Sequence, residues 1–344
     1  MRIEEDDLEW AVSKGVIGRL QADALWQALS ERAIARPHFG LIVVLYYFGA
    51  LLVIGAMSWF MTSAWESFGG GGILLISAIY AAIFFGVGAM LFDREGLRIP
   101  GGLLVTIGVC MTPLAIYGLQ RWLNIWFFDD PGEYRSFHLW IKGGWFFMEA
   151  ATICVGFVAL RFFRFPFLTA PIAFALWYMS MDLTPIIFQD DDSLWEKRTF
   201  VSLWFGLAMI AGSYFVDRRT KEDYSFWGYL FGSIAFWGGI SVLGGTNEMS
   251  NIIYLLINVL LIGLSVFLQR KVFIIFGAIG SIGSIGHLAY DVFANSIWFP
   301  FSLSIAGVII LYGGVLLHRH GRKIEEGLTS VMPNWMRDLR PSVR

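Results

Sequence analysis

Residues 73–92 read ILLISAIYAAIFFGVGAMLF, residues 93–98 read DREGLR, and residues 99–120 read IPGGLLVTIGVCMTPLAIYGLQ. Two runs without a charged residue are joined by six residues that hold four charges. A helix of about 20 residues rises about 30 Å, the thickness of a bilayer's hydrocarbon core. The reading of this stretch is therefore two membrane-crossing helices and a short polar loop. The same alternation recurs along the chain. Spans are expected at about 39–62, 70–92, 99–120, 143–160, 165–188, 199–216, 224–243, 251–268, 272–291 and 297–317. Hydrophobic residues make up 57% of the 344 and charged residues 15%, well under the roughly 25% of a soluble domain. The fold class expected is all-α: a polytopic integral membrane bundle of about ten helices.

Three regions follow from this pattern. Residues 1–38 form a polar headpiece, 39–317 the transmembrane bundle, and 318–344 a basic tail. The headpiece has seven acids, five Lys or Arg, and no apolar core of a signal peptide. It predicts a short helical hairpin. One helix covers Asp7 to Lys14 and stops at Gly15; the other runs from about Gln21 to Arg36 with Leu25, Leu29 and Ala33 on one face.

Orientation is read from the positive residues. The pieces 1–38, 93–98, 161–164, 217–223, 269–271 and the tail hold 20 of the 25 Lys and Arg. Both termini are therefore expected inside. Trp59, Trp65, Trp122, Trp126, Trp140, Trp145, Trp195 and Trp298 then fall near the outer interface, where an indole ring is favoured. The formal charge of −2 and the acidic headpiece give no reason to expect a nucleic-acid partner. Cys110 and Cys154 lie inside apolar runs and read as packing residues. No cofactor motif, zinc spacing or phosphate-binding loop is present. The acidic run Asp190–Asp192 lacks calcium-loop spacing and reads as a solvated turn.

Ionisable groups inside a membrane are costly and mark functional sites by default. Four qualify: Glu149, Asp182, His287 and Asp291. All four fall in the outer half of their spans, the pattern of a polar cavity open to the outside or of residues that reach interfacial water. His287 and Asp291 are four apart and share a helix face. Asp182-Leu183-Thr184-Pro185 offers a local helix break of the kind transporters use to bind ions. Gly277, Gly280, Gly283 and Gly286 form a line of small residues suited to close helix packing, which would place their span centrally.

The headpiece carries one resemblance. Trp10-Ala11-Val12-Ser13-Lys14-Gly15-Val16-Ile17, followed by Gln21-Ala22-Asp23-Ala24-Leu25 and Leu29, resembles the N-terminal block of a bacterial family of predicted membrane proteins, the domain-of-unknown-function 2157 group. Gly18 and Arg19 stand where that family has a polar residue after the isoleucine. The resemblance implies a multi-pass protein of the bacterial cytoplasmic (inner) membrane and brings no activity or catalytic residue. Three functions stay open: a transporter or permease for a small solute or cation; a non-catalytic envelope component whose headpiece binds another membrane protein; and a membrane enzyme acting on lipid or envelope precursors.

Overall fold

The computed structural model describes residues 5–34, 41–126, 145–188, 194–243 and 248–293, with isolated positions between 301 and 312. The expected span at 297–317 lies almost wholly outside the described residues. The tail, Trp140 and the Asp190–Asp192 run lie outside them too. All secondary structure among the described residues is helical. The chain divides into two units, 1–56 and 57–344.

In the first unit, α1 (Glu5–Ser13) and α2 (Arg19–Ile34) form the expected hairpin. Gly15 ends α1 at φ +69°, a conformation that disfavours any side chain. The Gly18 amide donates to Gln21 Oε1 at 3.0 Å and caps α2. The hairpin buries Leu8 and Ala22, while Leu25 is exposed. The side chains of Leu29 and Ala33 lie outside the described residues. Two α-helices this short bury little apolar area, and Trp10, Val16 and Leu20 stay exposed.

α3 (Leu41–Phe92) begins in the first unit and continues in the second. It is interrupted at Gly69, whose φ of +60° and ψ of 175° only glycine adopts without strain. The second unit continues with α4 (Arg98–Cys110), α5 (Thr112–Leu123), α6 (Phe146–Phe162), α7 (Thr169–Phe188), α8 (Leu194–Arg219), α9 (Phe226–Leu243), α10 (Glu248–Leu268) and α11 (Lys271–Phe293). Among the described residues, four stretches are long and apolar enough to cross a membrane: Phe68–Phe92, Arg98–Leu123, Glu196–Arg219 and Phe226–Leu243. Leu41–Met57, Met249–Ser265 and Lys271–His287 are shorter apolar helices.

Proline acts where its position in the helix makes it act. Pro113 stands in the first turn of α5 and cannot donate to the carbonyl four residues before it. At the junction Met111 keeps helical dihedrals and its amide is shared between Ile107 O at 3.1 Å and Gly108 O at 3.2 Å, so Arg98–Leu123 continues as one stretch. The break expected at Asp182–Pro185 does not occur. α7 runs through Pro185 to Phe188.

Burial identifies the centre. Of the four stretches, Arg98–Leu123 is the most buried, 56% along its most apolar part against 17% in Phe68–Phe92 and Glu196–Arg219 and 33% in Phe226–Leu243. Leu103, Val105, Ile107 and Val109 of α4 are at most 2% exposed. α6 packs on both α4 and α5, then α7 on α6, α8 on α7, and α9 on α8 and α7. α11 packs on α10 and α9. Among the described residues, the glycine-lined helix α11 exposes Ile275, Ile279 and Ile282 in a row. A line of small residues reports one close neighbour, and says nothing about the opposite face.

Candidate functional site: a buried pair of carboxylates

Glu149 occupies the first turn of α6, and Asp182 lies in the last third of α7. These two helices pack against one another. The packing brings the carboxylates of Glu149 and Asp182 into each other's field. Asp182 is 0% and Glu149 6% exposed. Among the described residues, none of their four oxygens closes a hydrogen bond. Tyr178 stands one turn before Asp182, and its phenol feels both charges. The Trp145 ring lies over Tyr178 with centroids 5.6 Å apart. The backbone N–H of Trp145 points toward Asp182, and Arg198 of α8 supplies a positive field there. Three further hydroxyls on these helices are buried. Thr152 donates to Met148 O at 2.6 Å, Ser180 to Trp177 O at 2.6 Å and Thr184 to Ser180 O at 3.5 Å. Their protons go to their own helices, so their lone pairs remain as acceptors.

Two carboxylates in an apolar interior are expensive as a pair of bare anions, since desolvation and mutual repulsion act together. Such a pair is suited to hold a proton or a cation.

The other candidates are placed elsewhere. His287 is exposed on α11, its Nδ1 3.5 Å from Nδ2 of Asn251 on α10. Asn251 Oδ1 in turn accepts from Ser284 at 3.0 Å. Asp291 ends the same helix, and its side chain lies outside the described residues. The sequence grouping of four thus separates into an acid pair on α6 and α7 and a histidine on the α10–α11 pair. The glycine line separates as well. A Cβ on Gly277 would come 2.6 Å from Asn258 O, and one on Gly280 would strike the Asn258 side chain. Among the described residues, a Cβ on Gly283 or Gly286 would meet nothing within 4 Å. The close approach is local to Asn258, which also accepts from Trp237 Nε1 at 3.2 Å and donates to Tyr254 O at 2.8 Å.

One cluster was missed in the sequence. Arg270, between α10 and α11, grips Asp217 with two bonds, Nη2 to Oδ1 at 2.6 Å and Nε to Oδ2 at 3.1 Å. Its Nη1 donates to Asp223 at 2.8 Å and its Nη2 to Ser225 at 3.1 Å. The guanidinium stands over the Tyr229 ring, 5.6 Å from its centroid. Burial alone would ease its proton off, but the bonds from Asp217 and Asp223 outweigh it and hold its pKa above the ordinary arginine value. The available signal was an acid, Asp217, at the last turn of a helix that ends in Arg218 and Arg219. A carboxylate there opposes the helix dipole and needs a partner.

Four of the six pieces counted as positive in the sequence, 93–98, 161–164, 217–223 and 269–271, lie at this end of the second unit. Arg98 Nη2 donates to Arg164 O at 2.8 Å and lies 3.7 Å from Glu222. The rings of Phe92 and Phe163 meet edge-on at 5.4 Å. The acid pair sits toward the opposite end, with Trp145.

Compared with known proteins, the chain matches no family model, no curated protein and no solved structure.

Proposed function

We propose that the protein is an ion-coupled transporter or permease for a small solute in a bacterial cytoplasmic membrane, with Glu149 and Asp182 as the coupling site. The observation that carries this reading is the meeting of two buried carboxylates on facing helices, whose oxygens close no short hydrogen bond among the described residues, with the Trp145 N–H and the Arg198 charge directed at Asp182. Evolution tolerates such groups in apolar surroundings when they take up and release charge. In this reading a proton or cation bridges the pair, and its release to one side is linked to movement of α7 against α6. Convergence of the basic loops at one end supports both termini inside, and the headpiece resemblance supports the bacterial membrane.

The test uses the full chain in proteoliposomes on a solid-supported membrane. Amino acids, sugars and organic anions are applied in turn across an imposed pH or sodium gradient. One class should give a transient current, and Glu149→Gln and Asp182→Asn should each lose it at least tenfold while melting at or above the parent temperature. Absence of current with every class, or currents unchanged in both variants, overturns the reading.

A second reading has its own observation. The headpiece leaves Trp10, Val16 and Leu20 exposed at 62%, 71% and 86%, more apolar side chains than so small a hairpin needs to show. That favours a protein partner for the first unit, and is compatible with transport by the second.

A further inference from the structure

A groove of about 750 Å³ lies between α6 and α8, within the 300–1,000 Å³ of ordinary small-molecule sites. Ile172 and Leu176 of α7 form its floor, Phe157 and Leu160 of α6 one wall, and Met209 and Gly212 of α8 the other. Phe157, Ala208, Gly212 and Val216 are exposed along it, so the groove opens sideways onto the apolar exterior of the helices. Its walls offer an apolar chain a bed without any hydrogen-bonding demand.

One end of the groove is polar, formed by Arg164, Thr220 and Tyr224. The charges around it are paired unevenly. Asp217 and Asp223 are held by Arg270 at 2.6 and 2.8 Å. Glu222 accepts from the Tyr224 hydroxyl at 2.9 Å and lies 3.7 Å from Arg98. Among the described residues, no carboxylate pairs with the Arg164 guanidinium. Arg98, bonded to the Arg164 carbonyl, holds a second cation beside the first. The groove thus has an apolar slot, a lateral opening and, at its polar end, one guanidinium, Arg164, with no carboxylate partner among the described residues. A free anion would use the polar end and leave the slot empty; a neutral hydrocarbon would do the reverse.

We propose that this groove binds an anionic phospholipid, with one acyl chain lying along α7 between α6 and α8 and the phosphate at Arg164. The site is separate from Glu149 and Asp182 and does not depend on the transport reading. It would fix the α6–α8 spacing, since the chain fills a gap that these helices leave open. Membrane residence of this face is the shared premise, and comes from the apolar exterior.

The test is native mass spectrometry of the full chain released from micelles that contain phosphatidylglycerol or phosphatidylcholine. The parent should retain one phosphatidylglycerol, at least tenfold over phosphatidylcholine. Arg164→Gln should bring phosphatidylglycerol down to the phosphatidylcholine level. Gly212→Leu, whose Cβ meets nothing within 4 Å among the described residues, should fill the slot, lower retention of both lipids at least fivefold, and melt like the parent. Ala208→Leu fills the same slot from the next turn and serves if Gly212→Leu melts early. Equal retention of the two lipids by the parent overturns the proposal. So does retention unchanged in both slot-filling variants, or displacement of phosphatidylglycerol by millimolar inorganic phosphate, which marks an anion site without a chain.

Discussion

Arg270 ties the ends of α8, α9 and α10 through one planar group. Its side chain is 15% exposed and that of Asp217 1%, so the bond is a buried one and neither partner can return to water alone. Removing one member of a buried pair typically costs about 3–5 kcal/mol, because the other is left charged and unpaired. Arg270→Ala should therefore lower unfolding stability in micelles by about 3 kcal/mol. Arg270→Lys keeps the charge but loses the two-pronged geometry and should recover less than half of that loss. Stability of Arg270→Ala equal to the parent, measured by denaturant titration, would mean that Asp217 is neutralised in another way. The same reasoning distinguishes the carboxylates. Asp217 is spent on structure, whereas Glu149 and Asp182 have no comparable partner among the described residues and remain available for chemistry.

Helix pairs in this protein approach closely where glycine stands opposite backbone. At Gly118 of α5 a Cβ would come 2.6 Å from the Leu74 amide nitrogen and 2.9 Å from Gly70 O. In lipid, where apolar burial does not drive helices together, such backbone contact and its van der Waals gain hold the pair. Gly118→Leu must push α5 away from α3, and overpacking of this kind costs about 1–3 kcal/mol. Gly280→Leu should act similarly by displacing Asn258 from Trp237. Gly283→Leu has no described neighbour to displace and should stay within about 0.5 kcal/mol of the parent. Thermal melts of the three variants check this order. A large loss at Gly283 with none at Gly118 would reverse the assignment of the packed faces. Hydropathy could not rank these glycines, since spacing alone treats Gly277, Gly280, Gly283 and Gly286 as equivalent. Proline spacing was likewise ambiguous. Pro113 stands where α4 passes into α5, and Pro185 lies within an uninterrupted α7.

For the whole molecule, the charge asymmetry and the end-on meeting of its loops make one topological expectation. Reporter fusions after Arg94, Gly132, Arg219 and Lys323 should read inside, outside, inside and inside. An outside signal at Lys323 would remove the even number of spans. Deleting residues 1–34 should leave membrane insertion intact, because the headpiece forms its own hairpin and precedes the first apolar run. Loss of insertion on deletion would show that the headpiece guides assembly.

The amino-acid sequence by itself determined the helical class, the positions of the apolar runs and the end at which positive residues collect. These depend on local length, hydropathy and charge, which a bilayer reads one segment at a time. Only the tertiary structure decided that α4 is deeply buried, that Glu149 meets Asp182 and not His287, and that Arg270 closes on Asp217. The physical reason is that lipid tails are as apolar as leucine. A helix face covered by protein and one covered by lipid carry the same kinds of side chain, and neighbours are selected by shape and by the few polar groups that must find one another.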